Sequence, residues 1–211
     1  MWPVSSVIGE NGGLFFQRDG DDHGLTRIFW HDDKDDRASA NRLDAIRAMV
    51  LEQLPTAELA DDQPFRLTSL AFALPQDPNK RAAIVTALRA AGADVSVNNL
   101  WILGWIGGYD KLAMTRRIMA DQYEVDVEAE RDAILYVGDS TNDAPMFRFF
   151  RHTVGVSTVV QFLPEIPVPP AWITIGPGGD GFVEAANAVI AGRAAPRESF
   201  DLVDPGAAPG M

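Results

Sequence analysis

The sequence predicts an α/β protein whose open parallel-sheet core is interrupted by a small α+β module. Three observations carry this. Ala133-Ile134-Leu135-Tyr136-Val137 is a continuous apolar run, the kind of strand buried on both faces of a parallel sheet. From Gly107 onward, segments with strand and helix patterns alternate, and that order gives parallel strands joined by helical crossovers. Residues 31–105 carry a strand-and-helix alternation of their own, set off by Gly107-Gly108.

Along the chain, Val4 to Ile8 reads as a short buried strand running into Gly9-Glu10-Asn11-Gly12-Gly13, where Asn-Gly signals a turn. Leu14 to Phe16 and Leu25 to Trp30 read as two strands, joined into a hairpin by the polar stretch Arg18-Asp19-Gly20-Asp21-Asp22. The acidic run from Asp32 to Asp36 suits the first turn of a helix. Leu43, Ile46, Val50 and Leu54 follow at helical spacing, and Pro55 ends it. Phe65 to Leu74 is a strand. Asp77-Pro78-Asn79 opens a helix carrying Ile84 and Leu88 that ends at Gly92. Asp94 to Asn98 and Leu100 to Ile106 are strands. In the last part Lys111 to Tyr123 is a helix, Ala133 to Val137 a strand and Ala144 to Phe150 a short helix. Thr153 to Val156 and Ala171 to Ile175 are strands. Asp180 to Ile190 closes the pattern as a helix with Phe182, Ala186 and Val189 inward. Residues 193–211, rich in Pro, Gly and Ala, read as a loose tail.

Composition narrows the function classes. The chain of 211 residues carries a net charge of -12, and its pI is near 4.6. Such a surface repels phosphate backbones and anionic lipid headgroups, which disfavours nucleic-acid and membrane partners. An anionic substrate would need a local cation, either a metal or a placed Lys or Arg. There is no cysteine, so thiolate catalysis, disulfides and thiolate metal sites are excluded. With only His23, His31 and His152 as imidazole ligands, a hard oxygen-liganded cation fits better than zinc. No signal peptide and no apolar stretch of membrane-spanning length is legible, so a cytoplasmic location is expected.

The segment that carries chemistry is Gly138-Asp139-Ser140-Thr141-Asn142-Asp143-Ala144-Pro145-Met146-Phe147, directly after the apolar strand. An apolar strand here delivers two carboxylates and an amide to the carboxyl end of a parallel sheet, where open α/β folds bind ligands. Gly138 allows a sharp turn, Asp139 at the strand tip is placed as a hard-metal ligand, and Asp143 can orient a cation nearby. The plainer reading makes Asp139 and Asn142 turn and helix-capping residues.

This string resembles the fourth motif of phosphatases of the haloacid dehalogenase (HAD) superfamily. More narrowly, it resembles the Cof-type branch that includes sucrose-phosphate and mannosyl-phosphoglycerate phosphatases. Gly108-Tyr109-Asp110-Lys111 resembles the third motif, and Glu10-Asn11-Gly12 resembles the turn after the third core strand. The resemblance spans residues 4 to about 192 and implies a partial Rossmann-like core with an inserted α/β cap. On that basis residues 1–30 are core, 31–105 cap, 106–192 the second half of the core and 193–211 tail. It implies hydrolysis of a small phosphomonoester, a sugar phosphate by preference, through an aspartyl-phosphate with Mg²⁺. Asp139 would hold the metal, Lys111 would neutralise the nucleophile and the transferring phosphoryl, Asn142 would support the phosphate site, and Asp143 would orient Lys111.

One departure stands against the match. The family opens with a strand ending in Asp-x-Asp-Gly-Thr, and no such string occurs here. Asp19-Gly20-Asp21 lacks the Thr and fits a hairpin turn better, while Asp33-Lys34-Asp35, Glu124 and Asp126 read as solvated charges. The expectation is therefore a truncated reading of a longer gene product or a catalytically dead relative, inactive alone, which either self-associates through an uncovered strand or rearranges its amino-terminal strand to fill the gap. His31 and His152 are isolated. Trp101 and Trp105 read as packing residues, and Arg66 as a candidate substrate contact on a cap strand. Gly176-Pro177-Gly178-Gly179-Asp180-Gly181 reads as a connection rather than a phosphate cradle.

Overall fold

The computed structural model describes residues 4–19, 24–31 and 33–194. Gly20 to Asp22 of the expected Arg18–Asp22 turn, His23, Asp32 and the segment 195–211 lie outside the described residues. The chain divides into two compact units, Met1–Tyr123 and Glu124–Met211. No helix among the described residues is long and apolar enough to cross a membrane.

In the first unit, β1 (Ser6–Gly9), β2 (Leu14–Asp19) and β3 (Gly24–Phe29) form an antiparallel sheet in chain order. The hairpin is present, but β2 runs further than expected: Arg18 and Asp19, expected in the turn, pair with Leu25 and Gly24. β1 is less buried than its sequence suggests, with Val7 38% exposed, because it is an edge strand of this small sheet. The helix α1 (Asp33–Gln53) follows, then β4 (Ser69–Ala73), α2 (Pro78–Ala90), β5 (Asp94–Val97) and β6 (Trp101–Trp105). Asp77 caps α2 by accepting from the Asn79 amide at 2.8 Å. β4, β6 and β5 form a second antiparallel sheet with β6 in the middle.

The period-2 alternation of these strands sorts two cores. Leu70, Phe72 and Ile102 face Leu43, Ile46 and Val50 of α1 and Ile84 and Leu88 of α2. On the other face Ala71, Leu103 and Trp105 join Tyr109, with Trp30 and Trp101 packed beside them. The expected strand over Phe65 to Leu74 starts only at Ser69, because Gln63–Phe65 is a turn of 3₁₀ helix. The helix α3 (Lys111–Tyr123) covers the hairpin sheet, burying Met114 and Ile118 against Phe15.

In the second unit, α4 (Val127–Glu130), β7 (Leu135–Gly138), α5 (Ala144–Phe149), β8 (His152–Gly155), β9 (Trp172–Ile173) and α6 (Gly178–Ala194) follow one another. β7, β8 and β9 are parallel, in that order across the sheet. The parallel α/β pattern expected from the sequence is therefore present, with three strands. Two details differ. β7 is not buried on both faces: Leu135 is 36% exposed, because among the described residues β8 is its only strand neighbour. Nor does α6 turn Phe182 inward; Phe182 is 56% exposed, and Ala185 is the buried apolar residue on that helix. Between α6 and the sheet lies a cavity of about 720 Å³ lined by Leu135, Val154, Trp172, Ala185, Ala188 and Val189. On the opposite side Phe147 of α5 packs with Val159 and Ile166 from the segment after β8.

Candidate active-site loop

The loop from Gly138 to Asp143 leaves the carboxyl end of β7 and turns into α5 through a 3₁₀ turn, Thr141–Asp143. Its geometry is set by one carboxylate. Asp143 is 1% exposed. Its Oδ2 accepts from the backbone amides of Asp139 at 2.8 Å and Ser140 at 3.1 Å. Its Oδ1 accepts from the Tyr136 hydroxyl at 2.6 Å. Charge-assisted bonds of this kind are short and about twice as strong as neutral ones. Asp143 thus clamps the strand tip from below and fixes the direction in which Asp139 leaves the sheet.

Gly138 ends β7 without a positive φ, and what it gives this clamp is space. A Cβ on Gly138 would sit 2.7 Å from the Asp143 carboxylate. The glycine is needed because the carboxylate fills that space.

Ser140 in this loop and Tyr136 on β7 complete the arrangement and were not singled out by sequence reasoning. The Ser140 hydroxyl lies 2.7 Å from Asn142 Oδ1 and 3.1 Å from Asp139 Oδ1, so it ties those two side chains together. Tyr136 stacks on Phe150 and meets Phe147 edge-on, which holds its hydroxyl against Asp143. The residue was legible only as an apolar strand position; its polar end had no visible partner seven residues before Asp143.

Burial holds the Tyr136 phenol protonated, far above its ordinary value near 10, with the Asp143 charge and hydrogen bond and then Asp139 reinforcing the effect. Above a pH of about 10 the unfolded chain releases this proton and the folded chain keeps it. The native state then binds more protons, so stability falls as pH rises beyond that value. Between pH of about 9.5 and 11 the urea midpoint of the wild type is expected to decline more steeply than that of Tyr136→Phe. Equal slopes would show that this phenol does not remain protonated in the folded state.

The structure brings Asp139, Asn142 and Asp143 together in one loop of the second unit. Lys111 opens α3 in the first unit, where Asp110 caps the helix by accepting from the Ala113 amide at 2.7 Å. Among the described residues no three His, Asp or Glu side chains gather as a metal cage. Both Asp143 oxygens accept hydrogen bonds from the chain's own donors, and Asp139 Oδ1 lies 3.1 Å from the Ser140 hydroxyl.

The remaining candidates have structural partners. His31 Nε2 lies 3.3 Å from the Ile106 carbonyl, and His152 stacks on Trp172. Arg66 pairs with Asp62 at 2.7 Å and lies over the Trp101 ring. In the glycine-rich loop before α6, the Glu184 carboxylate accepts from the amides of Ile175 and Gly176 at 3.0 and 3.1 Å. That resident negative charge opposes phosphate binding there.

No family model matches the sequence, and no curated protein matches it. Solved structures do. SMU.1108c from Streptococcus mutans UA159 is similar with a TM-score of 0.62 at 12% identity, over 88% of this chain and 77% of that one. Thermoplasma acidophilum 0175 gives 0.58 at 18% identity, over 85% and 69%. BT4131, described as a sugar phosphatase of HAD subclass IIB, gives 0.57 at 10% identity, over 88% and 76%. The chain shares its fold with these proteins, BT4131 of the HAD superfamily among them. At these identities the likeness is one of fold, and it agrees with the HAD resemblance read from Gly138 to Phe147. The HAD fold also accounts for a parallel strand ending in the carboxylate-bearing loop, since open α/β sheets gather ligand-binding groups at their carboxyl ends.

Proposed function

We propose that this protein belongs to the chemistry of HAD-type phosphomonoester hydrolases, with a sugar phosphate as the preferred substrate class and Mg²⁺ as the cofactor. The observation that carries the reading is the braced loop: an internal carboxylate, Asp143, spends both oxygens to hold Asp139 at the tip of a parallel strand. A turn residue alone would not call for such a buried clamp. BT4131, with which the chain shares its fold, is described as a sugar phosphatase, and this supports the substrate class. Residues 31–105 take the role of a substrate-selecting cap in this reading.

Each residue then has a role. Asp139 contributes one oxygen to the metal, which when bound supplies positive charge to phosphoryl oxygens. Asn142, tied to Ser140, supports the phosphate site. Lys111 neutralises the nucleophile and the transferring phosphoryl. Asp143 is the brace of the loop and, by the family resemblance, the partner that orients Lys111. No residue of this sequence is assigned as nucleophile, because it contains no Asp-x-Asp-Gly-Thr. That same observation favours a second reading, a non-catalytic binding or regulatory protein on the HAD fold.

The longest product of the gene, assayed with magnesium on a panel of phosphomonoesters, separates the two. The first reading expects turnover that falls by about 10²–10³ in Asp139→Asn or Lys111→Ala, the magnitude of removing one electrostatic group from such a site. A longest product that stays folded and turns over none of the panel favours the second.

A further inference from the structure

The Glu10-Asn11-Gly12 turn is conformationally unusual. Glu10, Asn11 and Gly12 have φ of 46°, 58° and 108°. A run of left-handed residues that includes a glutamate persists only where its surroundings impose it. Gly12 and Gly13 leave no room for a Cβ, the first against the Asp110 carbonyl and the second against the Thr68 side chain and Tyr109 hydroxyl.

The turn aims the Glu10 carboxylate at residues 67–69. Its Oε1 accepts from the Leu67 amide at 2.8 Å. Its Oε2 accepts from the Thr68 amide at 2.9 Å, the Thr68 hydroxyl at 3.1 Å and the Ser69 hydroxyl at 2.7 Å. Tyr109 fixes the same segment by donating to the Thr68 carbonyl at 2.9 Å. Two consecutive main-chain N–H groups and two hydroxyls converging on one point form an oxyanion receptor, the donor chemistry of anion-binding concavities. Every one of these donors meets an acceptor-only group. A glutamine could satisfy one side of the cluster only by turning its NH₂ on the other.

We propose that Leu67–Ser69 is an oxyanion-binding nest whose resident ligand is Glu10, and that it takes a small free carboxylate or phosphate when that ligand is withdrawn. In the intact chain the bound carboxylate fastens the start of β4 to the turn between β1 and β2. Tethering gives Glu10 an effective concentration that free anions do not match, so the site is occupied from within. The inference stands apart from the phosphatase reading, since it uses no residue of the Asp139 loop.

The test uses the full 211-residue chain. Thermal midpoints of the wild type and Glu10→Ala are compared in sodium formate, sodium phosphate and sodium chloride at equal ionic strength. The wild type is expected to melt alike in formate and chloride. Glu10→Ala is expected to melt lower in chloride and to recover saturably in formate, phosphate or both, whichever source of oxyanion the vacated space admits. The recovery is expected to vanish when Ser69→Ala is added. A variant that responds to neither anion more than the wild type does would overturn the proposal. Should Glu10→Ala not fold, Glu10→Gln is followed by amide hydrogen exchange. Leu67 and Thr68 are expected to exchange at least about tenfold faster while the paired amides of β2 hold, as local opening requires. Unchanged exchange at Leu67 and Thr68 would equally overturn it.

Discussion

Asp143→Ala is expected to lower the stability of the chain by about 4 kcal/mol, because it orphans three donors at once. Bonds to a charged acceptor contribute about 1.5–3 kcal/mol each, with losses in one cluster adding less than fully. The Asp139 and Ser140 amides and the Tyr136 hydroxyl all lose their acceptor, at a residue only 1% exposed. Against a typical total of about 5–15 kcal/mol, such a loss leaves a marginal fold. Asp143→Asn keeps the shape and one oxygen, so it is expected to fall between the two. Urea unfolding measures the difference, and a loss below about 1 kcal/mol for the alanine variant would mean that the loop does not depend on this carboxylate.

The second expectation is all-or-none: the 211-residue chain with magnesium leaves p-nitrophenyl phosphate intact. An aspartyl-phosphate needs an aspartate nucleophile at a strand end, and the sequence offers no Asp-x-Asp-Gly-Thr. Asp139 is tied to the Ser140 hydroxyl, and in the proposed function it is a metal ligand instead. The sharp control is the dismissed pair. Turnover that survives purification but disappears in Asp19→Ala or Asp21→Ala would assign the chemistry to that pair.

Which features could be read from the sequence depended on the distance over which their causes act. The hairpin, α1, α2 and α3 announce themselves through local periodicity, caps and stops, and they form close to where those signals place them. The Gly138 to Phe147 string was legible as a site because strand, turn and helix signals coincide within fourteen residues. Its bracing was not, since Tyr136 looks like any strand aromatic until it is seen to point at Asp143. β4 starts four residues later than expected for two reasons. The 3₁₀ turn Gln63–Phe65, with Pro64 in it, takes the first of those residues, and Glu10, 57 residues away in sequence, captures the amide of Leu67. Exposure of Leu135 and Phe182 likewise depends on what stands beside β7 and α6, which periodicity cannot report.

The stacking of Trp172 on His152 has a spectroscopic consequence. Trp172 is the single indole between Glu124 and Met211, whereas Trp30, Trp101 and Trp105 lie in the first unit beside Tyr109 or over the second antiparallel sheet. Its ring lies 6.1 Å from the imidazole at an interplanar angle of 7°, a contact that unfolding of the parallel sheet must break, since β9 carries one ring and β8 the other. The molecule therefore contains two separate fluorophore populations. The emission difference between the wild type and Trp172→Phe isolates the optical signature of the unit that contains the Asp139 loop.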